Sequence, residues 1–132
     1  MAIAAEDVYA LAPYAETLGV TFDEITEGRV VGRLAYSRAV STVGGGIHGG
    51  AIMALADVTA AVLATAAAGG ALPATSESST YFLEPLRGDA TATATPLRVG
   101  RGQIVVEVAV RDQAEQLCTR VTQIVTLIRP GG

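Results

Sequence analysis

One acidic side chain sits in the middle of the longest apolar stretch of this sequence: Asp57, with Leu55, Ala56, Val58, Ala60, Ala61 and Val62 around it. A carboxylate in such surroundings costs free energy. It is retained either because hydroxyls or amides satisfy it at a structural contact, or because it works as a general base or nucleophile. At helical spacing it shares a face with Gly50, Met53, Ala54, Ala60, Ala61 and Ala64, which are small except for Met53, whereas Ile52, Leu55, Thr59, Val62 and Leu63 make a bulkier face. Asp57 is therefore expected to be buried and to look onto a narrow space that admits a thin substrate.

Just before this stretch, Gly46-Ile47-His48-Gly49-Gly50 marks a helix start, where backbone N–H groups lack intrahelical partners and point out with the positive end of the helix dipole. Glycines let a carbonyl oxygen come against the bare backbone, as an oxyanion hole requires, although a turn that only reverses the chain needs glycines too. His48 suits either a helix-start capping role or a catalytic one. Gly49 and Asp57 are eight residues apart, roughly 12 Å along a helix at 1.5 Å per residue. An acid and an oxyanion donor must both lie within about 3 Å of one reacting group. If both act, Gly49 comes from one subunit and Asp57 from another, across a two-fold axis.

These residues need one long helix and a scaffold to cover it. The pattern predicts a helix over about 48–68, closed by Gly69-Gly70, and a short N-terminal helix over about 6–18 that Pro13 interrupts. Strand-like runs occupy 20–26, 29–36, 75–83, 89–99, 103–111 and 116–128. Helix, two strands, long helix and four strands make an α+β plan in which an antiparallel sheet curls around the long helix. The whole chain, 1–132, is expected to be a single domain, with Gly131-Gly132 a frayed end.

Half of the 132 residues are hydrophobic, so disorder is excluded. All nine basic residues are Arg, scattered singly in a chain of net charge −4, which argues against a nucleic-acid partner. One cysteine, Cys118, and one histidine allow neither an internal disulfide nor a Cys/His metal set, and point to a reducing cytoplasm. The N-terminus lacks the basic and apolar segments of a signal peptide. The apolar span is long enough to cross a membrane, but it is mostly Ala with Asp57 at its centre, so no membrane association is expected.

The segment Gly46-Ile47-His48-Gly49-Gly50-Ala51-Ile52-Met53-Ala54-Leu55-Ala56-Asp57 resembles the G-x-H-G-G-x-x-x-x-L-x-D signature of the PaaI-like hotdog thioesterases, named for phenylacetic acid degradation. Thr75-Ser76-Glu77, Tyr81-Phe82-Leu83-Glu84-Pro85, Gly88-Asp89 and Val99-Gly100-Arg101 are similar to that family's later strand motifs. The resemblance implies a hotdog fold, a homodimer that assembles to a homotetramer, and hydrolysis of an aromatic or medium-chain acyl-CoA. No cofactor or metal is implied, since coenzyme A enters as part of the substrate. It also implies that Asp57 is the base or nucleophile, that the Gly49 N–H polarises the thioester carbonyl beside His48, and that Thr75 orients the water. Gly50, Met53, Glu77 and Phe82 would meet the substrate, and Arg98, Gly100 and Arg101 the CoA nucleotide. Relatives commonly carry Asn six positions before the His; Thr42 stands there, with one hydroxyl of shorter reach, and the chain has no Asn at all.

Two other classes compete. A non-catalytic acyl-CoA or small-ligand binding module would have no evident need for Asp57. A hotdog dehydratase would want its His beside an acid. Cys118 lies in an alternating strand and is expected to be core.

Overall fold

A computed structural model describes residues 3–129; the Gly131-Gly132 end lies outside the described residues. The N-terminal helix is two helices, α1 (Ala5–Leu11) and α2 (Pro13–Leu18). The break follows from Pro13, which opens α2 at its first position, has no N–H to give, and drives Ala12 out of the helical region. Strands β1 (Val20–Ile25) and β2 (Val30–Leu34) form a hairpin. The chain then passes through a short 3₁₀ turn, Arg38–Val40, into the long helix α3 (Gly49–Ala67). Strands β3 (Leu72–Phe82), β4 (Ala90–Val99), β5 (Gln103–Arg111) and β6 (Leu117–Ile128) follow.

The six strands make one antiparallel sheet in the order β1-β2-β4-β5-β6-β3, and every strand touches α3. The concave face carries Ala90, Ala92 and Ala94 of β4, Ile104, Val106, Val108 and Val110 of β5, and Val121 and Val125 of β6, all essentially buried. Against them pack Ile52, Leu55, Ala56, Ala60 and Leu63 of α3. Burying a leucine such as Leu55 or Leu63 contributes about 2–3 kcal/mol. The helix comes so near the sheet because of small residues. A Cβ on Gly32 of β2 would lie 2.6 Å from the Thr59 hydroxyl, so any larger residue there pushes α3 outward.

α3 is thus the core helix, but only one side of it is covered. Gly50, Met53 and Asp57 are exposed, Ala54 and Ala61 half-buried, and Ala60 and Ala64 fully buried. The expectation of a buried Asp57 sharing one open face with Gly50, Met53, Ala54, Ala60, Ala61 and Ala64 is corrected on both points. A single sheet covers a helix from one side, which leaves the Asp57 side open. The chain returns from the end of α3 into β3, which packs against the helix, and Ala60 and Ala64 belong to the core.

The Thr119 hydroxyl on the concave face of β6 is fully buried and has no hydrogen-bond partner among the described residues. An unpaired buried hydroxyl is destabilising relative to a methyl of the same shape. Thr119→Val is expected to stabilise the fold by about 1 kcal/mol, raising the midpoint of thermal unfolding by about 3–5 °C; a midpoint that stays or falls contradicts this.

Candidate active site

α3 begins at its cap. His48 Nδ1 accepts a hydrogen bond from the Gly50 N–H (2.8 Å), and the His48 carbonyl accepts from Ala51 and Ile52. With Nδ1 an acceptor, the ring is neutral with its proton on Nε2. The structure therefore uses His48 to close the helix end, far along the axis from Asp57. The Gly49 N–H alone at this helix start meets no acceptor among the described residues. Phe82 packs directly on it: a Cβ at Gly49 would lie 3.3 Å from the Phe82 ring. Beside them opens a cleft of about 320 Å³, lined by Ile47, Gly49, Ile52, Phe82, Leu83, Glu84, Pro85 and Leu86. Thr42 lies in the tight turn just upstream, where its N–H donates to Gly46 O (2.9 Å) and its side chain is exposed.

Two turns or so down the helix, the Asp57 carboxylate is held through one oxygen. Oδ1 accepts from the Thr75 hydroxyl (3.2 Å) and from Gln123 Nε2 (3.0 Å). Gln123 is 1% exposed, donates also to Ser78 Oγ (3.2 Å), and offers Oε1 to Thr75 at 3.4 Å. Among the described residues no donor reaches Oδ2, and Asp57 makes no salt bridge. The carboxylate is oriented by neutral groups, with one oxygen left open to what binds on the exposed face.

A β-bulge makes this cluster. Thr75 pairs with Val125 and Ser78 with Gln123, and the register shifts between Thr75 and Glu77. Strict alternation would place residues three apart on opposite faces. The extra residue, Ser76, puts both Thr75 and Ser78 on the helix side, flanking Gln123. The same register turns Glu77 away from α3, where its carboxylate accepts from Ser79 Oγ (2.7 Å). Glu77 therefore lies on the face of β3 opposite Thr75 and Ser78 in the protomer.

The β4–β5 turn lies at the Thr75 end of the sheet, since Ile104 pairs with Val125 and Val125 with Thr75. There the Gly100 N–H donates to Gln103 O (2.8 Å), and Arg129 ties the turn to the helix end through Arg101 O and Ala68 O. Arg98 and Arg101 form no salt bridge among the described residues, so their guanidinium groups are available to an anion.

One chain thus gathers Asp57, Thr75, Gln123 and Ser78 at one place, with Met53 a turn away, and Gly49, Gly50, His48 and Phe82 at another. It does not bring the two groups together. Gln123 escaped the sequence reading, although a signal existed: it is the polar member of the inward series Val121, Gln123, Val125, Leu127. A larger groove, about 470 Å³, lies on the outer face between paired charges such as Arg33 with Asp23, and holds none of these residues. Cys118 is fully buried; burial first, and then the charge of Asp112, pushes its thiol up from the ordinary value. A neutral buried thiol is no nucleophile. No three His, Cys, Asp or Glu side chains gather as a metal site among the described residues.

Comparison with known proteins adds the following. A family model described as the thioesterase superfamily matches residues 44–119. A protein of Saccharolobus solfataricus that carries an esterase name is 33% identical over 96 residues, which are 72% of this chain and 69% of that protein. Among solved structures, a thioesterase of Haemophilus influenzae superposes over 100% of this chain and 95% of its own, with TM-score 0.90 and 20% identity. The AziG protein of S. sahachiroi covers 90% of this chain and 98% of its own, with TM-score 0.84 and 29% identity. The PaaI protein of the E. coli phenylacetic acid degradation operon covers 95% and 91%, with TM-score 0.86 and 21% identity. The sheet and its long central helix are the hotdog thioesterase fold.

Proposed function

Because the chain belongs to the thioesterase superfamily and is a hydrolase, we propose that it cleaves an acyl-CoA thioester to a free acid and CoA, with Asp57 acting on the carbonyl carbon. What supports this most is the state of that carboxylate on an exposed helix face: fixed by Thr75 and Gln123 through Oδ1, with no cation paired to it and no donor on Oδ2 among the described residues. Acting as general base, Oδ2 takes a proton from water as the water oxygen bonds to the carbonyl carbon. The tetrahedral oxyanion then collapses, the C–S bond breaks, and the thiolate of CoA leaves and is protonated. Acting as nucleophile, Oδ2 bonds to that carbon itself, the thiolate leaves, and water cleaves the resulting anhydride. Single turnover in ¹⁸O-labelled water separates the two, since only the anhydride route can leave label in Asp57.

The oxyanion is received by the Gly49 N–H of a second copy, because within one chain Gly49 and Asp57 lie roughly 12 Å apart. A second copy also suits β3, an edge strand of eleven residues that among the described residues pairs with β6 alone; a long unpaired edge is a template for another strand. The homodimer so formed, and a tetramer of two such dimers, belong to this proposal. So do Thr75 as the group that orients water, the Gly50, Met53 and Phe82 surface as the acyl contact, and Arg98, Gly100 and Arg101 as the CoA nucleotide contact. His48 serves by holding the Gly49 end of the helix. A cytoplasmic location, no bound cofactor, and membership of the PaaI-like group are proposed on the sequence motifs.

A panel of phenylacetyl, benzoyl, hydroxynaphthoyl and straight-chain CoA thioesters, followed by release of free CoA thiol, tests the reading. At least one aromatic or medium-chain thioester is expected to be turned over. Thr42, with a hydroxyl where relatives commonly carry an amide, favours one alternative, an acyl-CoA binding module. Tight binding across the panel with no thiol released would establish that alternative.

A further inference from the structure

Resting on Asp57 as the acting carboxylate, we propose that Gln123 is a positioning residue: it selects which oxygen of Asp57 reacts. Gln123 enters the site from β6, which makes no other hydrogen bond to Asp57 among the described residues, and is 1% exposed. Its three polar contacts have an order. Nε2 carries two protons; one goes to Asp57 Oδ1 (3.0 Å) and the other to Ser78 Oγ (3.2 Å), while Oε1 faces the Thr75 hydroxyl (3.4 Å). Ser78 and the carboxylate therefore hold the amide plane in one orientation, since a flipped amide would point its oxygen at the carboxylate, and the single Thr75 proton goes to the nearer acceptor, Asp57 Oδ1. With the amide fixed and Thr75 donating to the same oxygen (3.2 Å), the carboxylate loses rotation about its own axis, and Oδ2 stays the oxygen that meets no donor among the described residues.

Neither Gln123 nor Ser78 carries charge or touches the reacting atoms in this scheme. Their effect passes through Asp57. A fixed carboxylate meets the water or acyl carbon without first losing rotational freedom. Removing the amide should therefore act on the chemical step, lowering kcat while leaving substrate binding in place. Removing a buried glutamine that only fills space would have no such effect.

The test uses the full-length oligomer. Gln123→Met keeps the volume and removes all three hydrogen bonds; kcat is expected to fall about 30-fold, in the range a small misplacement of a catalytic group produces, with KM within threefold. Ser78→Ala, at an exposed position that tolerates change, is expected to lower kcat three- to tenfold with KM likewise within threefold, and decides the matter if Gln123→Met does not fold. A folded variant with unchanged kcat overturns the proposal while hydrolysis by the unmodified protein stands. A readout without substrate separates the two ideas further. In ¹H–¹⁵N spectra the Gln123 side-chain amide protons are expected to be protected from solvent exchange, and to lose that protection in Asp57→Ala. Exchange as fast as that of an exposed glutamine overturns the role of Gln123 even if no thioester is ever cleaved.

Discussion

Replacing Asp57 by asparagine is expected to lower kcat for thioester hydrolysis about 10³-fold, within the 10²–10⁴ that a positioned general base contributes, with KM and thermal stability little changed. Asparagine keeps the shape, and its Oδ1 still accepts from Thr75 and Gln123. What disappears is the basic oxygen at the Oδ2 position, where an amide nitrogen takes no proton. Because Asp57 is exposed and makes no salt bridge among the described residues, the substitution breaks no buried pair that would confound the rate with folding. Steady-state release of CoA thiol by the two proteins is the measurement, with thermal unfolding alongside. Hydrolysis at an undiminished rate in the variant would remove Asp57 from the mechanism.

Gly49→Pro is expected to lower kcat by 10²–10³, the effect of losing one oxyanion donor, while leaving α3 intact. Proline suits the first position of a helix, where its fixed φ fits and its missing N–H is one the helix does not use. Gly49→Ala is the control, since it keeps the N–H and adds only a Cβ, 3.3 Å from the movable ring of Phe82; a loss below tenfold is expected. The stronger test combines two defects. When Asp57→Asn and Gly49→Pro chains are mixed at equal amounts and allowed to exchange, about half of the dimers are mixed, and in each of these one of two shared sites has both groups intact. Activity near a quarter of the normal value is expected. Mixing that leaves activity at the level of the separate variants would place both groups in one chain and refute the shared site.

The sequence carried the positions of strands and the long helix well, because alternation along Ile104, Val106, Val108 and Val110 and the glycine pair after Ala68 are local signals. It also pointed to Asp57 and Gly49, because types and spacing are visible without a fold, and the family resemblance pointed to Thr75. Three things were not legible. Which side of α3 stays open depends on where β3 returns after the helix, a matter of topology, and so Ala60 and Ala64 were misplaced and Asp57 was expected to be buried. The partner of Asp57 on β6 lies 66 positions away, and only register brings Gln123 there. Glu77 looked like a neighbour of Thr75 in sequence but projects from the opposite face, because the extra residue between them changes the phase of the strand.

That extra residue also lets the strand absorb a change of length. Deleting Ser76 brings Thr75 next to Glu77, and a regular ladder then keeps Thr75 against Val125 and Ser78 against Gln123, both on the helix side. The sheet, the core and both donors to the carboxylate would survive. Between two hotdog chains with the same Asp, Thr and Gln, a gap of one at this point in β3 would therefore leave the carboxylate site assembled, a likeness that a comparison of strand lengths would miss.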